Sequence, residues 1–450
     1  MTGTQTDNPA MTSPRMLLIS NDAHVGPPLD AYREYCPAEH LEEFDAYLRA
    51  YEAKVNPSAA ELGSDARVGE SKIATLQSAD APAPRFTAGA VDYIQRLLAD
   101  PPVHYDPYVA IENMDREGVA VEVVFHGAQN GFPVPFLSPF AFASQPWDSS
   151  QRAAELAAVG MRIYNRWLAD YCSVEPGRHI GCAQVPIWDV DGAIAELEFA
   201  ASLGLGAVNF PAPRPAIRDY NELCWEPFWD LAERHRMSLN THCSGAIVSD
   251  VASYSGVDGL TVMMHEFMAF SRRALPFMIL GGVFERHPDL RLIFTEQPSD
   301  WVASTLHDLD GIWASNRWEK DLKRRPSEYF FENCYVGLSF MSNYEAKAAL
   351  DQGTSGNVLW GRDYPHIEGT WPMTELSLRM TLEDIPADAA RRMLGLNAID
   401  AYRLDAARVL EIADRIGPSV EQLLTPLPPD TELPADAEWT MAFRKGGSWV

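Results

Sequence analysis

The chain has 450 residues, 46% hydrophobic and 22% charged, which fits a globular enzyme and is too long for one minimal core, so one large domain with insertions is expected. A formal charge of −27 makes a field that repels phosphate backbones and anionic lipid, setting aside nucleic acid and membrane surfaces as partners. Six cysteines, Cys36, Cys172, Cys182, Cys224, Cys243 and Cys334, show no CxxC spacing, the pattern of free thiols in a reducing, cytoplasmic compartment.

In chain order, the polar segment 1–14 lacks a basic and an apolar signal region and reads as a disordered leader. No later run is long and apolar enough to span a bilayer. Apolar, β-rich runs follow at 16–20, 119–125, 180–187, 207–210, 237–240, 291–295, 334–338 and 357–360. Helical patterns separate them, such as 191–203, with Ile194, Leu197 and Ala201 on one face, and 220–234. Eight strands alternating with helices predict an α/β fold, a distorted (β/α)8 TIM barrel, over 15–405. His287, between a helix end and Pro288, reads as structural. Two insertions, about 30–100 and 131–150, follow strand ends on the face where substrate enters, and read equally as a lid or pocket wall and as an oligomer contact. Residues 406–450 read as a helix and a Pro-rich extended arm, on the chain's own surface or on a neighbouring subunit.

The chemistry lies at the strand ends. Asp22 and His24 stand two apart, so on an extended strand they share a side. His242 follows an apolar strand, and Asp363 ends another, where an unpaired carboxylate is costly unless a cation or donor meets it. Each has an ordinary alternative: a turn cap for Asp22, a surface histidine for His24, a core histidine for His242, a helix N-cap for Asp363. Together, on strands one, five and eight, the four predict one divalent metal ion. Two imidazoles and two carboxylates suit Zn²⁺ first and Mn²⁺ second. His126 and Asn209 end strands two and four and are candidate substrate contacts. Arg362, Tyr364, His366, Glu368 and Trp371 flank Asp363 as a possible pocket wall. An arginine beside a metal suits a carboxylate-bearing substrate, while its alternative is an ion pair with Glu296 or Asp22. The aromatics Phe132, Phe136, Phe140, Phe142 and Trp147 suit an aromatic ligand or simple loop packing.

The stretches Ser20-Asn21-Asp22-Ala23-His24-Val25, Asn113-Met114-Asp115-Arg116-Glu117-Gly118, Ala183-Gln184-Val185-Pro186, Gly281-Gly282-Val283-Phe284-Glu285-Arg286-His287-Pro288, Asp363-Tyr364-Pro365-His366 and Leu396-Asn397-Ala398 resemble the amidohydrolase superfamily. The likeness is to the branch that includes aminocarboxymuconate semialdehyde decarboxylase and resorcylate decarboxylases. It implies that Asp22, His24, His242 and Asp363 hold the metal and that Asp363 exchanges protons with metal-bound water. Three departures qualify it. Asp-x-His replaces the His-x-His of many members and is similar to the resorcylate type. Glu296 stands where many relatives have a histidine that contacts substrate or water. No lysine lies near Asn209, so a carbamate-bridged metal pair is excluded.

The resulting expectation is a mononuclear metal-dependent hydrolase acting on a small carboxylated compound, with aromatic and cyclic compounds among the candidates. Asp363, Glu296 and His242 would be its catalytic groups, with Asp363 taking a proton from water and Glu296 positioning it. The alternative is a non-oxidative decarboxylase using the same ligands, and a non-catalytic metal-stabilised binding protein comes third. A homodimer or higher homo-oligomer is expected.

Overall fold

The computed structural model describes residues 9–55, 105–127, 133–137, 150–214, 217–243, 259–315, 322–428, 430–433 and 441–444. Each predicted apolar run contributes a strand: β1 Leu18–Val25, β2 Val119–His126, β3 His179–Ala183, β4 Ala207–Asn209, β5 Ser238–His242, β6 Leu292–Thr295, β7 Cys334–Ser339 and β8 Val358–Gly361. Each pairs in parallel with its sequence neighbour. β8 returns to β1 where the His24 N–H donates to the Tyr364 carbonyl at 2.7 Å and the Asp363 N–H to the Asp22 carbonyl at 3.2 Å. The sheet therefore closes as a (β/α)8 barrel, with helices such as Gln151–Ser173, Val190–Ser202 and Glu226–Arg234 between strands. Strands buried on both faces need continuous apolar runs rather than alternation, which is why these runs were readable.

Boundaries moved where polar residues belong to strands. β1 and β5 run past their apolar runs because Asp22, His24 and His242 are strand residues, not residues beyond the strand. β3 stops at Ala183, four residues early, because Gln184 gives its N–H to the Asn165 side chain at 2.8 Å and Pro186 has none to give.

The barrel interior below the mouth is apolar: Ile19, Val121, Val123, Ile180, Cys182, Ala207, Ile293 and Leu359 pack together with Ala398, Ala401 and Tyr402. The Tyr402 hydroxyl accepts from the Asn240 side-chain amide at 3.0 Å. The polar site thus stands on a largely apolar floor.

At the opposite end of β3, His179 is buried against Tyr171, with ring centroids 5.0 Å apart, and neither ring nitrogen has a hydrogen-bond partner. Burial, with the charges of Arg178 and Arg362, pushes it down to about 3. A histidine depressed below its unfolded value of 6.5 contributes fully above that pH, and its contribution falls as pH drops from 6.5 towards 3, because only the unfolded chain takes the proton. His179→Phe is therefore expected to lose roughly 2 kcal/mol less stability than the wild type between pH 6.5 and 5. Denaturant melts at the two pH values measure this, and equal losses would refute it.

His287 is structural: its Nε2 lies 3.0 Å from Glu226. All six cysteines are free, and no helix among the described residues is long and apolar enough to cross a membrane. From the first insertion, the helix Leu41–Val55 packs Phe44 and Tyr47 on Phe136, which resolves the packing-or-ligand question for Phe136 in favour of packing. Residues 56–104, 128–132 and 138–149, and with them Phe132, Phe140, Phe142, Trp147 and the lid reading, lie outside the described residues. So does most of the leader, although the Pro14 carbonyl accepts from the Val420 N–H at 3.0 Å. After the helix Ala406–Ile416, the tail returns to its own barrel: the Met441 N–H donates to the Glu368 carbonyl at 3.0 Å, and Arg444 pairs with Glu345.

Candidate metal centre

A bulge in β1 builds the site. Ile19 pairs with Val121 and His24 with Phe125, so β1 takes five steps where β2 takes four. One extra residue reverses which side chains face inwards. Ile19 points into the plug, and beyond the bulge Asp22 and His24 point inwards too. Asn21, in the bulge, lies against Gly337, where a Cβ would come within 2.3 Å of its side-chain oxygen, so β7 needs glycine there.

Across the seam with β8, His24 Nε2 stands 3.4 Å from Asp22 Oδ1 and 3.4 Å from Asp363 Oδ1. His242 Nε2, from β5, stands 3.5 Å from Asp22 Oδ1 and 3.4 Å from Glu296 Oε2. Ligand atoms about 2.1 Å from one ion stand roughly 3.0 to 3.4 Å from one another, the spacing found here. All five side chains are buried, and neither Asp22 Oδ1 nor His24 Nε2 makes a hydrogen bond. Buried polar atoms left unmet are costly, and a shared cation meets both. The residues present fit a divalent ion.

The surrounding contacts aim these donors. His24 Nδ1 gives its proton to the His126 carbonyl at 3.0 Å, which turns the Nε2 lone pair inwards. Ser339, on β7, donates its hydroxyl to Asp22 Oδ2. His366 Nδ1 lies 2.9 Å from Asp363 Oδ1, and its ring stacks on His24 with centroids 4.1 Å apart. The Cys243 thiol donates to Glu296 Oε2 at 2.6 Å. Asp363 and Glu296 both hold left-handed backbones, φ 54° and 56°, a conformation that costs a residue with a Cβ about 1 to 2 kcal/mol and concentrates at functional sites.

Electrostatics follow the geometry. Burial alone would raise Asp22, but the charge of His242 and the contacts with both histidines outweigh it and hold the carboxyl well below the usual range. His24 moves the other way: burial opposes its charge, yet Asp22 and Asp363 raise it well above an ordinary histidine. Asp363, desolvated beside Asp22, is pushed up to about 7, and Glu296 is raised by burial and by the same two aspartates. Burial pushes His366 down to about 3. Crowded carboxylates that resist ionising together mark a place where positive charge is wanted.

The structure brings Asp22, His24, His242, Glu296, Asp363 and His366 together; four other candidates take different places. Arg362 does not face substrate, nor does it pair with Glu296 or Asp22. It is fully buried between β8 and the helix Pro107–Glu117, with Nη1 3.0 Å from Glu117 and Nε on Glu122. Just past the end of β8, the Arg362 side chain runs outwards to Glu117 and Glu122 while the left-handed Asp363 turns to His24. His126 takes the outward parity of Val124, and its ring stands edge-on to Tyr164, so its carbonyl serves the site. Asn209 points inwards and donates to Gln184 Oε1 at 3.0 Å, forming a polar pair on the β3 and β4 side. Trp371 packs edge-on against Tyr364. Ser339 was missed by sequence reasoning, since a serine ending an apolar strand carries no spacing signal.

A family model described as amidohydrolase matches residues 100–404. The chain is 27% identical over 243 residues to the gamma-resorcylate decarboxylase of Rhodococcus jostii (strain RHA1), covering 51% of this chain and 72% of that protein. Among solved structures it is similar to a dihydroxybenzoic acid decarboxylase from Polaromonas sp. JS666 with bound manganese, at 17% identity and a TM-score of 0.54, over 87% of this chain and 99% of that one. A 5-carboxyvanillate decarboxylase from Novosphingobium aromaticivorans DSM 12444, complexed with manganese, aligns at 18% identity and a TM-score of 0.56, over 90% and 100% of the two chains. At those identities the structural likeness speaks for the fold.

Proposed function

Since the chain belongs to the amidohydrolase family, we propose that it is a metal-dependent, non-oxidative decarboxylase of an aromatic carboxylate, rather than the hydrolase ranked first on sequence. The observation that carries this reading is the 27% identity, over 72% of its length, to a gamma-resorcylate decarboxylase, joined to the two-imidazole, acidic site in this barrel. Manganese replaces zinc as the favoured ion, because two structurally similar decarboxylases hold manganese and because the donors here are rich in oxygen.

Asp22, His24, His242 and Asp363 would hold the ion, which supplies Lewis-acid stabilisation of negative charge on the substrate's oxygens. The remaining work falls to the chain. Phe125, whose ring stands 5.0 Å from His242, offers an apolar face for an aromatic ring. Asp363 delivers a proton to the ring carbon that bears the carboxylate, the C–C electron pair returns to the ring, and CO₂ leaves. His366, 2.9 Å from Asp363, orients that carboxyl and passes a solvent proton back to it.

Hydroxybenzoates turned over in D₂O and in ¹⁸O-labelled water test the proposal. One deuterium at the vacated carbon, with CO₂ evolved and no ¹⁸O in the aromatic product, is expected. Incorporation of ¹⁸O without CO₂ would return the hydrolase to first place.

A further inference from the structure

We propose that Glu296 is a fifth protein ligand to the ion, so that the centre is a ring of two imidazoles and three carboxylates whose third carboxylate raises the affinity for Mn²⁺ relative to Zn²⁺. The ring can be followed atom by atom. From Glu296 Oε2 it is 3.4 Å to His242 Nε2, then 3.5 Å to Asp22 Oδ1, 3.4 Å to His24 Nε2 and 3.4 Å to Asp363 Oδ1. Carboxylate oxygens of Asp363 and Glu296 lie within 4.8 Å of each other, in a group that also takes in Glu368. His242 Nε2 is as near to Glu296 as to Asp22, so a cation that takes the imidazole lone pair meets both carboxylates.

Glu296 is also built to stay there. It is 7% exposed, its backbone is left-handed at φ 56°, and the Cys243 thiol donates to the oxygen that faces His242. A carboxylate oxygen has lone pairs for both a thiol proton and a cation, and an outer donor of this kind fixes a ligand's orientation. Arg362, next to Asp363 in sequence, is committed to Glu117 and Glu122. Three oxygen donors against two nitrogens favour a hard ion, and a third carboxylate leaves a six-coordinate ion one position for water or substrate.

This inference does not depend on decarboxylation, and its test reads the metal alone. Metal-stripped protein is titrated with Mn²⁺, free ion being followed by electron paramagnetic resonance, and with Zn²⁺ in competition. Glu296→Gln is expected to weaken Mn²⁺ at least about tenfold and to lower the Mn²⁺ to Zn²⁺ affinity ratio by a similar factor, whereas Cys243→Ser, which keeps a donor, changes it less than about threefold. In the wild type, line broadening by ¹⁷O-labelled water is expected to count one water on bound Mn²⁺, a reading independent of any variant's folding. Two or more bound waters, or unchanged Mn²⁺ affinity and ratio in Glu296→Gln, would overturn the proposal even if CO₂ release had been established.

Discussion

Purified protein is expected to carry about one equivalent of a divalent metal, His242→Ala to lose it, and Asp363→Asn to lower turnover at least about a thousandfold. His242 Nε2 lies between Asp22 and Glu296, and its removal leaves two buried carboxylates with no shared donor, so the metal site is dismantled rather than adjusted. Asp363 loses more in activity than in binding, because asparagine keeps an oxygen for the ion but cannot carry the proton that the ring carbon must receive, and such proton transfer is worth about 10² to 10⁴ in rate. Elemental analysis and initial rates measure the two effects. Full metal content in His242→Ala would show that His242 is not a ligand, and unchanged turnover in Asp363→Asn that Asp363 does not carry the proton.

The cluster of candidate ligands was legible because strand ends are conspicuous: an acidic residue or histidine that interrupts a buried apolar run has few reasons to be there. The β1 bulge was not legible. Ser20-Asn21-Asp22-Ala23-His24 reads as an ordinary strand end, yet one extra step is what aims Asp22 and His24 inwards along with Ile19. Arg362 was misread for a related reason. Adjacent to Asp363 in sequence, it stands on the opposite face of the strand, and its partners Glu117 and Glu122 lie some 240 residues away, where no local pattern points. Glu296 does lie beside His242 in the structure. Its approach to His242 depends on a left-handed residue and a thiol contact, both of which are tertiary facts.

Arg362 therefore supplies the second large effect, and it is one of stability. Its guanidinium is fully buried, binds Glu117 and Glu122, and lies over the Tyr364 ring at 4.7 Å, while Glu117 also accepts from the Thr374 hydroxyl at 2.7 Å. The network ties β8, β2 and the helix Pro107–Glu117 together beneath the seam that places Asp363 beside Asp22. Arg362→Leu removes the charge that both glutamates share, leaving the carboxylates of buried Glu122 and largely buried Glu117 without it. Breaking a buried ion pair from one side costs about 3 to 5 kcal/mol, far more than the pair contributes net, because the abandoned charge stays desolvated. Thermal melts of Arg362→Leu should fall accordingly, and adding Glu122→Gln should recover a large part of the loss, since the second substitution removes a stranded charge instead of a contact. Arg362→Lys should fall between, because a lysine keeps the charge but cannot reach both carboxylates with one planar fork. An unchanged melt in Arg362→Leu, with KM for an aromatic carboxylate raised instead, would return this arginine to the substrate-anchoring role its neighbour in sequence suggests.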